Sequence, residues 1–142
     1  MSTPRAFLVL TLIAGLEGLG LLVNGALVAI SVLTGGTYGA TGDSTTATVI
    51  EILIFVVLGL GLLKVAAGWH AMRRWARGPF VLAQLIGVFA GLSIVFSGAS
   101  EAIVPGLVLA LPSLVGLVVT FSPGVVRTFS DSYQRPGSGI SQ

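Results

Sequence analysis

The chain has 142 residues, of which 54% are hydrophobic and only 8% are charged. A soluble domain carries about 25% charged residues, so this composition excludes a fully hydrated surface. The seven basic residues do not form the clustered basic face that nucleic-acid binding requires, and the absence of cysteine excludes disulfides, thiolate metal sites and cysteine nucleophiles.

Four apolar segments follow one another along the chain, separated by polar turns. A helix of about 17–25 residues crosses the hydrocarbon core of a bilayer, and each segment reaches that length. The second helix is expected to begin at Thr48, because Thr48 and Glu51 match a capping box. The sequence predicts a single transmembrane domain with helices at residues 6–33, 48–71, 80–96 and 102–121 and a cytoplasmic tail at residues 122–142.

The basic residues predict the orientation of these helices. All six arginines lie at the N-terminus, in the central turn or in the C-terminal tail, at Arg5, Arg73, Arg74, Arg77, Arg127 and Arg135. The other two turns, at residues 34–47 and 97–100, contain no Lys or Arg. Because basic residues favour the cytoplasmic side, we expect an all-α antiparallel four-helix bundle with both termini in the cytoplasm.

The central turn between the second and third helices also contains both tryptophans, Trp69 and Trp75. Indole rings are favoured at the boundary between headgroups and hydrocarbon. We therefore expect both tryptophans, together with Arg73, Arg74 and Arg77, to lie at the inner membrane interface.

Apart from Glu51, in the first turn of the second helix, two charged residues, Glu17 and Lys64, fall inside predicted membrane helices. From helix geometry, Glu17 lies about 18 Å above Arg5 and Lys64 about 13 Å above Arg73, at similar depths on neighbouring helices. A lone charge on a lipid-facing helix costs about 2.5–3.5 kcal/mol or more, which favours inward-facing, paired charges. We expect a Glu17–Lys64 contact inside the bundle.

Two amides extend this predicted polar site. Asn24 lies seven residues after Glu17, on the same stripe of the first helix, and Gln84 lies on the third helix about 10 Å above Arg77. The site Glu17, Asn24, Lys64 and Gln84 has two interpretations: a proton- or ion-coupled centre, or a set of contacts that only holds the helices in register. A third arrangement leaves Lys64 reaching toward the inner interface without contacting Glu17.

Gly87 and Gly91 form a small-xxx-small pattern on the third helix, which allows two helix backbones to approach closely. The pattern is compatible with a second copy of the protein, another subunit or a neighbouring helix of the same chain.

The two halves of the chain show weak internal similarity. An ungapped alignment of residues 7–25 with residues 80–98 pairs Phe7 with Phe80 and Gly18 with Gly91, which is explained by duplication or by chance in an apolar sequence.

The central turn carries a resemblance to a known group. The string Arg74–Trp75–Ala76–Arg77–Gly78–Pro79, followed by Val81, Gln84 and Leu85, resembles small, uncharacterised four-helix integral membrane proteins of actinobacteria. The resemblance implies four spans and a bacterial inner membrane, and it implies no activity. The chain is also similar to small multidrug-resistance transporters in having a glutamate in the first of four helices, Glu17, although glycines and leucines replace the aromatic residues that flank it there.

The sequence contains no phosphate-binding loop, no HExxH and no nucleophile elbow. We therefore expect no enzymatic activity and no cofactor or metal, with the lipid bilayer and other membrane proteins or further copies of the chain as partners. The leading functional hypothesis is an accessory or structural subunit of a larger bacterial membrane complex. The alternative is a homo-oligomeric, proton-coupled secondary transporter or channel that uses the intramembrane Glu/Lys site.

Overall fold

The computed structural model describes residues 5–36 and 44–131, and within these ranges every regular element is a helix. The helices are α1 (Arg5–Leu33), α2 (Thr45–His70), α3 (Arg77–Val95), α4 (Ile103–Thr120) and α5 (Pro123–Asp131). Single 3₁₀ turns at Arg74–Ala76 and Ser100–Ala102 precede α3 and α4. By length and composition, four of these helical segments are able to cross a membrane.

Helix α2 begins three residues before the predicted start. Ser44 is the N-cap, and its hydroxyl accepts a hydrogen bond from the backbone N–H of Ala47 at 3.4 Å. Thr48 lies inside the helix and donates its hydroxyl hydrogen to the carbonyl of Ser44 at 3.1 Å. The prediction of a capping box at Thr48 is wrong because a second competent cap, Ser44, precedes it by one helical turn.

The segment after α4 is not only a tail. Pro123 begins α5, where its missing N–H is one that a first helical turn leaves unpaired in any case. Val125 on this helix is fully buried and belongs to the apolar core cluster that also contains Phe7, Trp69 and Phe80. The predicted end of the fourth helix near residue 121 agrees with the end of α4 at Thr120, but the predicted tail contains a further helix, and residues 132–142 of that tail lie outside the described residues.

The end of α2 is a Schellman motif. The N–H of Arg73 donates to the carbonyl of Gly68 at 2.8 Å, and the N–H of Met72 donates to the carbonyl of Trp69 at 2.9 Å. Met72 adopts the left-handed conformation that this motif requires, with φ at 52°. Glycine usually fills this position because it has no Cβ to strain. The motif reverses the chain and brings Arg73 back beside the last turn of α2.

Glycines bring the helices together in two pairs. A Cβ added to Gly18 on α1 would lie 2.8 Å from the carbonyl oxygen of Gly59 on α2. A Cβ added to Gly91 on α3 would lie 2.7 Å from the carbonyl oxygen of Gly106 on α4. The helix backbones therefore touch at both crossings, and α1 packs chiefly on α2 while α3 packs chiefly on α4.

An aromatic cluster joins these two helix pairs. The ring of Trp69 lies edge-on to Phe7 and to Phe80, with centroid distances of 5.8 and 5.6 Å. All three side chains are fully buried, and Val125 of α5 belongs to the same cluster. Helix α2 turns the side chain of Trp69 toward the bundle interior with Val65 and Ala66, and its position at the depth of the inner interface stays a prediction.

Two positions of the internal alignment have matching environments. Phe7 and Phe80 both contact Trp69, and Gly18 and Gly91 both lie where the backbones of two helices touch. The aligned residues Gly25 and Gly98 differ, because Gly25 lies within α1 against Phe55 whereas Gly98 has a positive φ in a turn. The matching positions are those where a large ring or a missing side chain is needed for packing.

Candidate functional site

Glu17, at the middle of α1, is the centre of a polar cluster that connects three helices. Its Oε2 accepts a hydrogen bond from Nε2 of Gln84 on α3 at 2.6 Å, and its Oε1 lies 3.3 Å from Oγ of Ser113 on α4. Glu17 itself is partly buried, whereas Gln84 and Ser113 are almost completely buried. The carboxyl group therefore has neutral hydrogen-bonding partners on two helices other than its own.

Ser113 is held in place by its own helix and by the small residue opposite. Its hydroxyl lies 2.9 Å from the carbonyl of Leu109 one turn earlier, next to Pro112, which has no N–H to donate. Gly87 on α3 faces it, and a Cβ added there would clash with Oγ of Ser113 and lie 3.1 Å from its Cβ. Gly87 thus provides the space that Ser113 occupies.

The hydroxyl of Ser113 has two acceptors and one hydrogen. The carbonyl of Leu109, at 2.9 Å, is closer than Oε1 of Glu17, at 3.3 Å. A serine hydroxyl can donate to only one acceptor at full strength, but its oxygen can accept a further hydrogen bond. A proton bound to Oε1 of Glu17 can therefore lie between this oxygen and Oγ of Ser113, which accepts the hydrogen bond.

Gln84 is positioned against α4 as well as against Glu17. A Cβ added to Gly116 would lie 2.9 Å from Oε1 of Gln84, so the amide lies against bare backbone of α4. With Nε2 donating to Glu17, Oε1 of Gln84 is buried and has no hydrogen-bond partner among the described residues. Leaving such an acceptor unpaired costs about 1–3 kcal/mol, which makes this amide a sensitive part of the cluster.

Lys64 does not take part in the cluster. Its side chain is exposed, and the carboxyl group of Glu17 contacts Gln84 and Ser113 instead. The predicted Glu17–Lys64 contact is therefore wrong. Similar depth on neighbouring helices did not fix the direction of either side chain around its helix axis, and Lys64 lies on a face of α2 away from the interior stripe of Val65, Ala66 and Trp69.

Asn24 lies two turns beyond Glu17 on α1 and is partly buried, but it is not among the hydrogen-bonding partners of the Glu17 carboxyl group. Gln84 is the member of the predicted polar site that the structure brings to Glu17. Ser113 is the member that the sequence analysis missed. The signal that indicates it is a hydroxyl directly after Pro112 in an apolar helix, a place where backbone hydrogen bonding is already interrupted.

The residues assigned to the inner interface have different environments. Arg73 lines a groove on the surface of the last turn of α2 with Lys64 and the half-exposed Trp75. The guanidinium carbon of Arg77 lies 5.1 Å from the ring centroid of Phe121 and joins the start of α3 to the end of α4. Arg74 is exposed in the 3₁₀ turn between them.

Gly87 and Gly91 both face α4 of the same chain. Besides the contact of Gly87 with Ser113, a Cβ on Gly91 would lie 2.7 Å from the backbone nitrogen of Ala110. Of the three alternatives for this pattern, packing on a neighbouring helix of the chain is therefore the one that these contacts support.

In the described residues, no three His, Cys, Asp or Glu side chains form a group suited to a metal ion.

The chain matches no protein-family model, no curated protein and no solved structure to which it was compared. The Glu17 cluster and the surface of the helices are therefore the features of this chain that bear on its function.

Proposed function

We propose that this chain is a small integral membrane protein of a bacterial inner membrane, an antiparallel bundle with both termini in the cytoplasm. The order of helix contacts supports the antiparallel arrangement: from start to end of α1, Phe7, Gly18 and Gly25 meet Trp69, Gly59 and Phe55, which run backward along α2. The arginines at the termini and central turn support the orientation. Large apolar side chains exposed along all four long helices support a lipid environment.

Within this bundle, we propose that Glu17 binds and releases a proton in a proton-coupled secondary transporter. The observation that carries the proposal is the hydroxyl of Ser113, which lies between Oε1 of Glu17 and the carbonyl of Leu109. A proton on Oε1 donates to Ser113, while Ser113 donates to Leu109 and Gln84 continues to donate to Oε2. Each hydrogen-bonded pair of atoms in the cluster is kept when the proton is added, and only the direction of the bond between Ser113 and Glu17 reverses.

Gln84 supplies a second way to respond to the proton. Its unpaired Oε1 becomes an acceptor for protonated Glu17 if the amide turns by half a rotation about its last bond. In that orientation Nε2 faces Gly116 on α4 instead of Glu17. The amide orientation thus couples the state of a residue on α1 to the packing of α3 against α4, as alternating access requires.

The absence of a cationic partner favours a functional role for Glu17. Among the described residues its neighbours are neutral, so no ion pair compensates for the placement of a carboxyl group within an apolar helix. Ionisable residues in such places are expensive and usually mark ion or proton pathways. A purely structural role would be served as well by a glutamine at residue 17.

The test is proton movement in proteoliposomes. The protein is reconstituted with an internal pH-sensitive dye, and a panel of organic cations, amino acids and sugars is added in turn. We expect at least one solute to evoke proton movement that Glu17→Gln abolishes and that Glu101→Gln, an exposed control in the 3₁₀ turn before α4, retains. Failure of every solute, or equal activity of Glu17→Gln and the native protein, contradicts transport coupled through Glu17.

A second candidate function is an accessory subunit of a larger membrane complex. It is favoured by Gly20 and Gly61, which are exposed and have open space around them in this chain, although glycine weakens a helix by about 1 kcal/mol. Packing of another subunit against these positions gives a reason for them. Native mass spectrometry of the gently extracted protein distinguishes the candidates: a stoichiometric foreign partner supports the subunit, and a homo-oligomer supports the transporter.

A further inference from the structure

A groove of about 460 Å³ lies on the last turns of α2, outside the Glu17 cluster. It is lined by Lys64, Ala67, Gly68, Arg73 and Trp75. Its size is within the range of about 300–1,000 Å³ that is typical of ligand sites. Two of its five lining residues are cations and none is acidic, so its chemistry suits an anion.

The backbone of this turn places the two cations on the same groove. Lys64 precedes Gly68 by four residues and therefore lies one turn away on the same face of α2. The Schellman motif returns Arg73 to that face, where its N–H donates to the carbonyl of Gly68 at 2.8 Å. The left-handed conformation of Met72 makes this return possible.

Trp75 forms an apolar wall of the groove. A Cβ added to Gly68 would lie 3.0 Å from Cζ2 and 3.4 Å from Cε2 of Trp75, so the indole lies directly on the glycine backbone. The indole is also 45% exposed. A half-exposed indole beside two cations combines a surface for glycerol or acyl carbons with donors for a phosphate group.

Both cations have unused binding capacity. Among the described residues, the side chains of Lys64 and Arg73 have no hydrogen-bond or ion-pair partner. Lys64 lies six residues before the end of α2, about 9 Å along the helix axis. A cation at that depth in a membrane span is stabilised by an anion, and phospholipid phosphates lie at the boundary toward which a lysine stem extends.

We propose that this groove binds the phosphate of an anionic phospholipid, with Lys64 and Arg73 as its ligands and Trp75 against its glycerol and upper acyl carbons. Lipid is the source because Lys64 begins within the apolar span, where a dissolved phosphate must give up its hydration and a lipid phosphate is already concentrated. The inference rests on the proposed membrane location but not on proton binding by Glu17. Failure of the lipid site therefore leaves proton binding by Glu17 standing, and failure of proton binding leaves the lipid site standing.

The experiment is a titration of the detergent-purified full chain with phosphatidylglycerol, in which native mass spectrometry counts bound lipids. Each cation near an anionic membrane surface contributes roughly fivefold to binding, so we expect Lys64→Gln and Arg73→Gln each to weaken binding about fivefold and the double variant about thirtyfold. Arg127→Gln removes one charge from an exposed position of α5 outside the groove and serves as the matched control.

The outcomes distinguish a lipid site in the groove from general charge attraction and from a site for a soluble anion. The proposal predicts preference for phosphatidylglycerol over phosphatidylcholine, near-native binding in Lys64→Arg, and no displacement by inorganic phosphate. Equal affinity for the two lipids, or an equal loss in Arg127→Gln, overturns the groove as a specific site. Displacement by inorganic phosphate overturns lipid as the ligand in favour of a soluble anion. The lipid comparison uses native protein and therefore holds even if a variant fails to fold.

A fluorescence measurement tests the position of the lipid. Phosphatidylglycerol brominated near the top of its acyl chains is expected to quench tryptophan emission in the native protein. Most of the quenching is expected to disappear in Trp75→Phe, because Trp69 is fully buried in the core. Unchanged quenching in Trp75→Phe contradicts a lipid seated in this groove.

Discussion

Nε2 of Gln84 lies 2.6 Å from Oε2 of Glu17, so a side chain of α3 donates a hydrogen bond to a carboxyl group of α1. These two helices belong to different helix pairs, and each packs chiefly on the helix that follows it in the chain. The bond therefore connects the two helix pairs, which also meet at the contact of Glu17 with Ser113 and at the aromatic cluster around Trp69. This position makes the Glu17–Gln84 pair important both for stability and for the proposed function.

The first prediction is energetic coupling between Glu17 and Gln84. In a double-mutant cycle with Glu17→Leu and Gln84→Leu, we expect a coupling energy between about 0.6 kcal/mol, the mean for hydrogen bonds between membrane helices, and about 1.7 kcal/mol, the maximum. Unfolding by sodium dodecyl sulfate in mixed micelles measures it. A control cycle combines Gln84→Leu with Glu51→Gln, a change on α2 at a residue that is not a partner of Gln84. The effects of these two changes on stability should be additive within about 0.5 kcal/mol. Additivity in both cycles contradicts the contact.

The second prediction concerns Lys64. Because Lys64 is exposed and forms no ion pair with Glu17, Lys64→Met should leave the reactivity of Glu17 toward a hydrophobic carbodiimide unchanged. Gln84→Leu, which removes a direct partner, should change it. Intact-mass spectrometry counts the modified carboxyl groups. A large effect of Lys64→Met, similar to that of Gln84→Leu, means that the lysine acts on Glu17 after all.

The third prediction separates packed from unpacked glycines. Gly91→Ala introduces a Cβ 2.7 Å from backbone atoms of α4 that cannot move alone, and overpacking of this kind costs about 1–3 kcal/mol. Gly61→Ala meets nothing within 4 Å and should be neutral or stabilising in the isolated chain. The same detergent unfolding assay compares them. If the two variants are equally stable, α3 and α4 do not touch at Gly91.

The fourth prediction concerns the two tryptophans. Trp69→Ala leaves a cavity between Phe7 and Phe80 and should destabilise the protein by about 3–5 kcal/mol. Trp75→Ala should cost much less, because its side chain is 45% exposed. Thermal unfolding followed by circular dichroism in detergent provides the comparison. A larger loss of stability in Trp75→Ala than in Trp69→Ala would contradict the placement of Trp69 in the core.

The fifth prediction concerns the turn after α2. Met72 has a φ of 52°, and a left-handed conformation costs a residue with a Cβ about 1–2 kcal/mol. Met72→Gly should therefore stabilise the protein by up to about 1 kcal/mol. Ala71→Gly, at a neighbouring position with a φ of −84°, gains no such relief and should destabilise it. Destabilisation by Met72→Gly shows that contacts of the methionine side chain outweigh its backbone strain.

Hydropathy predicted four long apolar helices, because the length needed to cross a bilayer constrains such segments strongly. Their ends were harder to predict. Ser44 and Thr48 are both competent caps, and only the structure shows that the helix begins after the first. Helix α5 escaped prediction because Pro123 and Gly124 often end a helix, whereas here the proline begins one and Val125 fixes it to the core.

The polar site was predicted in part for a similar reason. A charged or amide side chain within an apolar helix is easily recognised in the sequence, so Glu17 on α1 and Gln84 on α3 were both predicted as members of the site. Which side chains meet depends on helix rotation, to which the nearly uniform apolar character of α1 and α2 gives no guide. The sequence therefore predicts an inward-facing Lys64, whereas the rotation of α2 about its axis leaves this side chain exposed. Ser113 carries no charge and was recognisable only through its place beside Pro112.

The measurement that tests the central claim most directly is the infrared spectrum of the protein in lipid bilayers as a function of pH. We expect a carboxyl C=O band that appears and disappears with pH, that is absent in Glu17→Gln and that is retained in Glu101→Gln. Its frequency should shift in Ser113→Ala, because the proton on Oε1 is held by the Ser113 hydroxyl. A spectrum in which Glu17→Gln removes no pH-dependent band would contradict proton binding at Glu17.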